Sequence, residues 1–117
     1  MTEPVSVRRI EWNDLSPVSP QDGGWTTVDG DATAHSRVFV ENAAMRSGIM
    51  TYGPCTAREV IQNHSSIHIL DGELTVTDEH GEHRLGPGDI AFFAPGQDVT
   101  ITSRTRVREV YTTCGPF

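Results

Sequence analysis

The side chains with the most chemical scope in this sequence are five histidines, two cysteines and sixteen carboxylates. His64 and His68 are four residues apart, a spacing that puts both on one face of a strand. His80 and His83 sit with Glu79 and Glu82 around a turn and read as a solvated hairpin tip. His35 precedes the first strand and has no evident partner. Cys55 follows Pro54 at a turn. A thiolate nucleophile there needs a neighbouring base such as His64, and no spacing supplies one. Cys55 and Cys114 form no CxxC pattern, so both are expected to be free thiols, and Cys114 is assigned no role. Arg104, Arg106 and Arg108 alternate and share one strand face. That face is either solvated or available to acidic groups of a partner. All nine basic residues are Arg, and without Lys there is no Schiff-base chemistry.

These groups sit in a chain of 117 residues, enough for one domain with one core. Hydrophobic residues make up 36% and charged residues 21%, a folded rather than disordered composition. The formal charge of −7 argues against nonspecific binding to nucleic acid or to an anionic membrane. No apolar run approaches the roughly 20 residues that cross a bilayer. Arg8 and Arg9 are followed by no apolar stretch of the signal-peptide kind, so a cytoplasmic protein is expected.

Elements that would position the chemistry follow from pattern. Residues 1–35 read as an irregular arm, with turn formers and breakers from Ser16 to Gly24 flanked by the anchors Trp12 and Trp25. From residue 36 the chain reads as short strands and tight turns. Strands are expected at Arg37–Val40, Gly48–Tyr52, Arg58–Ile61 (weakly), Ser66–Leu70, Glu73–Thr77, Ile90–Phe93, Val99–Thr102 and Arg106–Tyr111. Asp71-Gly72 is a hairpin signal, and residues 78–82 make the next turn. No helix of ten residues or more is expected. Strands at a spacing of about 8–12 residues indicate an all-β sandwich or barrel.

The segments Leu70-Asp71-Gly72-Glu73-Leu74-Thr75-Val76 and Gly86-Pro87-Gly88-Asp89-Ile90-Ala91-Phe92-Phe93-Ala94-Pro95-Gly96 resemble a cupin. The resemblance spans about residues 36–113. It is nearest to the small single-domain cupins related to ethanolamine-utilisation proteins and ureidoglycine aminohydrolases. It implies a single-domain jelly roll, a double-stranded β-helix barrel, over residues 36–117, and a homodimer. Gly53 and Gly72 fit both ends of the first cupin motif, and Gly88 and Gly96 fit the second, with its proline displaced to Pro95. The metal-ligand positions between those glycines fall on Glu59, Ile61, Ser65 and Val99. The glycine skeleton is therefore present and the ligand set is largely lost, so no metal site is assigned.

By the cupin register the barrel pocket is lined by Met50, Tyr52, Glu59, Ile61, Ser65, Ile67, Phe92, Val99 and Ile101, a mostly apolar wall suited to a small molecule. Glu59 beside Ile61 and Val99 is expected to be desolvated and to serve as a general acid or base near neutrality. Tyr52 is expected to donate to a carbonyl or developing oxyanion. The resulting expectation is a small enzyme doing metal-independent isomerisation, cyclisation, elimination or hydrolysis on a small metabolite, without a cofactor. The alternatives are a non-catalytic binding module, or a metalloenzyme holding a divalent transition metal at an atypical site of Glu59 with His64 or His68.

Overall fold

Alternation of apolar and polar residues gives each strand one face to bury, and two sheets closing on those faces make the core. The computed structural model describes residues 2–117. Its elements are β1 (Ser16–Val18), α1 (Pro20–Gly23), β2 (Thr26–Gly30), β3 (Ala34–Glu41), β4 (Met45–Tyr52), β5 (Cys55–Val60), β6 (Ser65–Asp71), β7 (Leu74–Asp78), β8 (Gly81–Leu85), β9 (Ile90–Phe93), β10 (Asp98–Ser103) and β11 (Val107–Cys114). One sheet has six strands in the order β1-β3-β4-β11-β6-β9. The other has five, in the order β2-β5-β10-β7-β8. All strand pairs are antiparallel. This is the all-β barrel that the sequence pattern implies.

Inward residues of both sheets fill one end of the barrel. Ile69 and Val107 come from the six-stranded sheet, and Leu74, Val76, Leu85 and Val99 come from the five-stranded one. Ile61 and Phe93 complete the cluster. The turns that return the chain to this core depend on glycine. Gly72 has φ 85°, and a Cβ there would lie 2.3 Å from the Arg106 carbonyl oxygen. The Asp71 carboxylate accepts from the Gly72 amide at 3.0 Å and fixes the turn. Across the other sheet, Arg58 Nε donates to Asp98 Oδ1 at 2.8 Å, and a second guanidinium contact to Asp98 ties β5 to β10.

Two segments differ from expectation. Residues 2–15 carry no regular structure, but the breaker-rich stretch after them is ordered. β1 pairs with β3 and β2 pairs with β5, so the arm supplies one edge strand to each sheet. Pro17 is tolerated because β1 is an edge. Pro20 sits in the first turn of α1, where a missing N–H costs nothing, and the Ser19 hydroxyl caps it by accepting from the Asp22 amide at 3.1 Å. Both tryptophans anchor the arm. Trp25 Nε1 donates to the Ala32 carbonyl at 2.9 Å, and the Arg108 guanidinium lies 5.0 Å from the Trp12 ring centre. The second difference is β8. The turn after β7 is tighter than expected, and Gly81–Leu85 pairs back on β7 as an edge strand. Its residues are polar except Leu85, which alone is buried, so no alternation marks it.

The packing makes a contrast that chemical denaturation can read. Ile69 is fully buried and Phe92 is 78% exposed. Ile69→Ala should cost about 2–5 kcal/mol, while Phe92→Ala should stay within about 0.5 kcal/mol in the monomeric fold. Equal losses would mean the burial assignment of the two faces is wrong.

Candidate functional site

Strand register decides which side chains meet inside the barrel. On β4, Gly48, Met50 and Tyr52 alternate inward. On β11, Glu109 lies opposite Met50 and Tyr111 lies opposite Gly48. Tyr111 fits because its partner has no side chain: a Cβ on Gly48 would sit 3.0 Å from the Tyr111 hydroxyl and 2.2 Å from the Arg37 carbonyl oxygen. Ser36 Oγ donates to the Ile49 carbonyl at 2.9 Å and lies 3.3 Å from the Tyr111 hydroxyl, which fixes that ring. Ser65 and Ile67 of β6 extend this wall, with Phe93 of β9 opposite Ser65. The facing wall comes from β5 and β10, with Cys55, Ala57, Glu59 and Ile101. Together they enclose a cavity of about 610 Å³ that opens toward Trp25 and β3 and closes against the hydrophobic cluster.

Of the carboxyl groups that line this cavity, Asp14, Asp22 and Glu41 are exposed, and two others come from opposite sheets and are more buried. Glu59 is half-buried and Glu109 is 3% exposed. Burial raises the Glu59 pKa to about 7. Burial also raises that of Glu109 to about 7; the Tyr52 hydroxyl beside it works in the opposite direction, and the Glu59 charge adds to the rise. Tyr52 is held neutral, its pKa pushed well above the ordinary phenol value by burial and then by Glu109. Among the described residues neither glutamate forms an ion pair. Two arginines line the outer part of the same cavity, and among the described residues Arg37 forms no ion pair. Arg46 pairs with Glu41 at 3.1 Å, and Arg37 Nη2 donates to the Asn13 carbonyl at 2.7 Å.

Seven of the nine expected site residues line the cavity: Met50, Tyr52, Glu59, Ile61, Ser65, Ile67 and Ile101. The other two do not. Val99 is opposite Glu59 and faces inward, but it is 2% exposed within the cluster at the closed end. Phe92 lies on the outer face of β9, and its neighbour Phe93 takes the inward place. The cupin register that puts Phe92 in the pocket is one residue out of step on β9, where two phenylalanines are adjacent. Glu109 and Tyr111 were missed as site residues. Their signal lay in the alternation of the last strand: Val107 must be core, so residues 109 and 111 share its face. A glutamate beside Arg108 reads as a surface residue until that step is taken.

The histidines do not join this group. His64 is exposed just before β6, and its carbonyl accepts from the Cys114 amide at 2.8 Å. His68 is opposite Val110 and Ile90, on the outward register of β6, while Ile67 lines the cavity. The site that pairs Glu59 with either histidine is therefore not formed. The four cupin ligand positions hold Glu59, Ile61, Ser65 and Val99, one strong donor among them, and this set does not suit a transition metal. Among the described residues no three His, Cys, Asp or Glu side chains are grouped to hold a metal ion. Cys55 and Cys114 are free thiols, and Cys55 Sγ lies 3.8 Å from Ser103 Oγ.

A family model for the EutQ-like cupin domain matches residues 40–111, more than half of the chain. The chain belongs to that family. Solved structures agree on the fold of this cupin. The EutQ protein of Clostridium difficile superposes with a TM-score of 0.64 at 14% identity, over 71% of this chain and 63% of that one. A protein described as ethanolamine utilization protein Q from Salmonella typhimurium LT2 gives 0.67 at 17% identity, over 90% of this chain and all of that one. Ectoine synthase from P. lautus gives 0.65 at 14% identity, over 78% and 70%. This cupin thus spans less than two thirds of the Clostridium relative. No curated protein matches it by sequence.

The buried carboxyl of this cupin makes an unusual pH dependence. The Glu109 pKa is raised from 4.5 to about 7 on folding, so between those values the folded state holds a proton that the unfolded state has lost. Stability therefore falls as pH rises through that window, by on the order of 3 kcal/mol from this group, and is level above it. Glu59 acts in the same direction. Glu109→Gln should unfold at higher urea concentration than the wild type at pH 8 and near the same concentration at pH 4.5. A variant less stable than wild type at pH 8 would contradict the burial of an unpaired charge.

Proposed function

We propose that this EutQ-like cupin is a small enzyme that performs metal-independent acid–base chemistry on a small molecule held in its barrel. The observation that carries this reading is the meeting of Glu59, Tyr52 and Glu109 in one largely apolar cavity, with both carboxyls poised near neutral pH. Glu59 is the proton carrier, since it is the less buried of the two and both of its forms are populated at pH 7. Tyr52 remains a phenol and donates to a carbonyl or developing oxyanion. Glu109 lies beside the Tyr52 hydroxyl and orients it. Isomerisation, cyclisation, elimination and hydrolysis can each use this pairing of a proton carrier with a neutral donor. Ectoine synthase, among the structural neighbours, is an enzyme by name, which supports small-molecule chemistry on this fold.

Two further features belong to the same reading. We infer a homodimer, supported by Ile90 at 50% and Phe92 at 78% exposure on β9, the free edge of the six-stranded sheet. We infer a cytoplasmic setting, supported by the two free thiols. No helix among the described residues is long and apolar enough to cross a membrane.

The enzyme reading is tested by incubating the purified protein with fractionated metabolites and following consumption by mass spectrometry. Glu59→Gln should lower kcat by about 10²–10⁴, a far larger loss than any weakening of ligand binding. The wild-type rate should change with a midpoint near pH 7 that the variant lacks. A wild type that binds but never turns over would make this a binding module, and a near-stoichiometric transition metal on the purified protein would overturn the metal-independent mechanism. Sedimentation should give twice 12.8 kDa, and the Phe92→Glu variant should sediment as a monomer.

A further inference from the structure

Resting on the small-molecule reading above, we propose that the cavity selects a cationic nitrogen ligand, an alkylammonium or amidinium-type group attached to a short apolar body. Glu59 from β5 and Glu109 from β11 face the same space from opposite sheets. Glu109 is 3% exposed, lines the cavity and forms no ion pair, so beyond the help of the Tyr52 hydroxyl its charge is offset by a proton or by something that enters. The groups that face the two carboxyls are Tyr52 from β4, Cys55 from β5 and Tyr111 from β11, all neutral or acidic. Arg37 and Arg46 line the same cavity toward β3 and β4: Arg46 pairs with Glu41, while Arg37 donates to a backbone carbonyl and keeps its charge, so Arg37 is the competing cation that a ligand must outdo.

The other walls suit such a ligand. Phe93 and Tyr111 bring aromatic rings to the lining, while Ile67, Ile101 and Met50 provide apolar contact. A cation between two carboxylates makes charge-assisted hydrogen bonds on both sides, and the aromatic rings add attraction to the same charge. An anionic ligand placed between the two carboxylates would meet two like charges. A neutral ligand leaves Glu109 protonated and gains neither contribution. Binding of the cation favours the ionised carboxyls, so it expels protons wherever they are still bound.

Three probes of matched size test this by calorimetry on the full chain: n-propylguanidinium, N-propylurea and butyrate. At pH 7.5 propylguanidinium should bind about tenfold or more tightly than propylurea, as a charge-assisted pair exceeds a neutral hydrogen bond by this order. Its affinity should weaken below pH 7, by about tenfold per pH unit if one carboxyl must ionise and up to about a hundredfold if both must, with protons released on binding as shown by buffers of different ionisation enthalpy. Glu109→Gln and Glu59→Gln, each confirmed folded by circular dichroism, should each remove most of the preference for guanidinium over urea. Equal binding of propylguanidinium and propylurea, stronger binding of butyrate, no binding of propylguanidinium, or a preference unchanged in both variants would overturn the proposal. Turnover is a separate readout: a cation-selective cavity without catalysis would leave this inference standing and remove the enzyme.

Discussion

Two glutamate side chains, one from each sheet, face the same cavity, and neither forms an ion pair among the described residues. Everything distinctive about the barrel's interior turns on that constraint. A carboxylate removed from water without a partner is costly, so each group holds its proton far above the usual carboxylate range. Tyr52 is drawn into the same balance, since two acidic neighbours and burial keep it a phenol. The result is a site with exchangeable protons at neutral pH and a persistent donor beside them.

The fold bears this cost by separating roles along its length. The closed end is a hydrocarbon cluster in which Ile69, Val99 and Val107 are almost wholly buried. The open end is where polar side chains are admitted, and the alternation of each strand sets the boundary. On β11, Val107 belongs to the cluster, while Glu109 and Tyr111 two and four residues later belong to the cavity. On β5 and β10, Glu59 is opposite Val99, so the floor and the acid are paired across one rung of the sheet. A destabilising group at the mouth is tolerable because the cluster beneath it is complete.

Much of the fold was legible in the sequence because its turns are written in glycine. Gly53, Gly72, Gly88 and Gly96 all have positive φ, and together they carried the cupin resemblance that set the strand register. That register, carried by the resemblance, put Tyr52, Glu59 and Ser65 on the inner wall. What was not legible has local causes. β1 and β8 are short edges, where proline or polar residues are allowed and no pattern is required. Adjacent phenylalanines on β9 gave no means of choosing the inward one. Glu109 was hidden because a buried carboxylate and a surface carboxylate look the same in a strand that also carries Arg106 and Arg108. Only the burial of Val107 on the same face distinguishes them.

The most direct test of this account is a carbon-13 NMR titration of the glutamate side-chain carboxyls, with Glu59 and Glu109 assigned through their Gln variants. The account predicts that both resonances titrate with midpoints near 7, and that removing Glu59 lowers the midpoint of Glu109. Midpoints for both groups in the ordinary range near 4.5 would contradict it, because the cavity would then hold two solvated carboxylates rather than a desolvated pair.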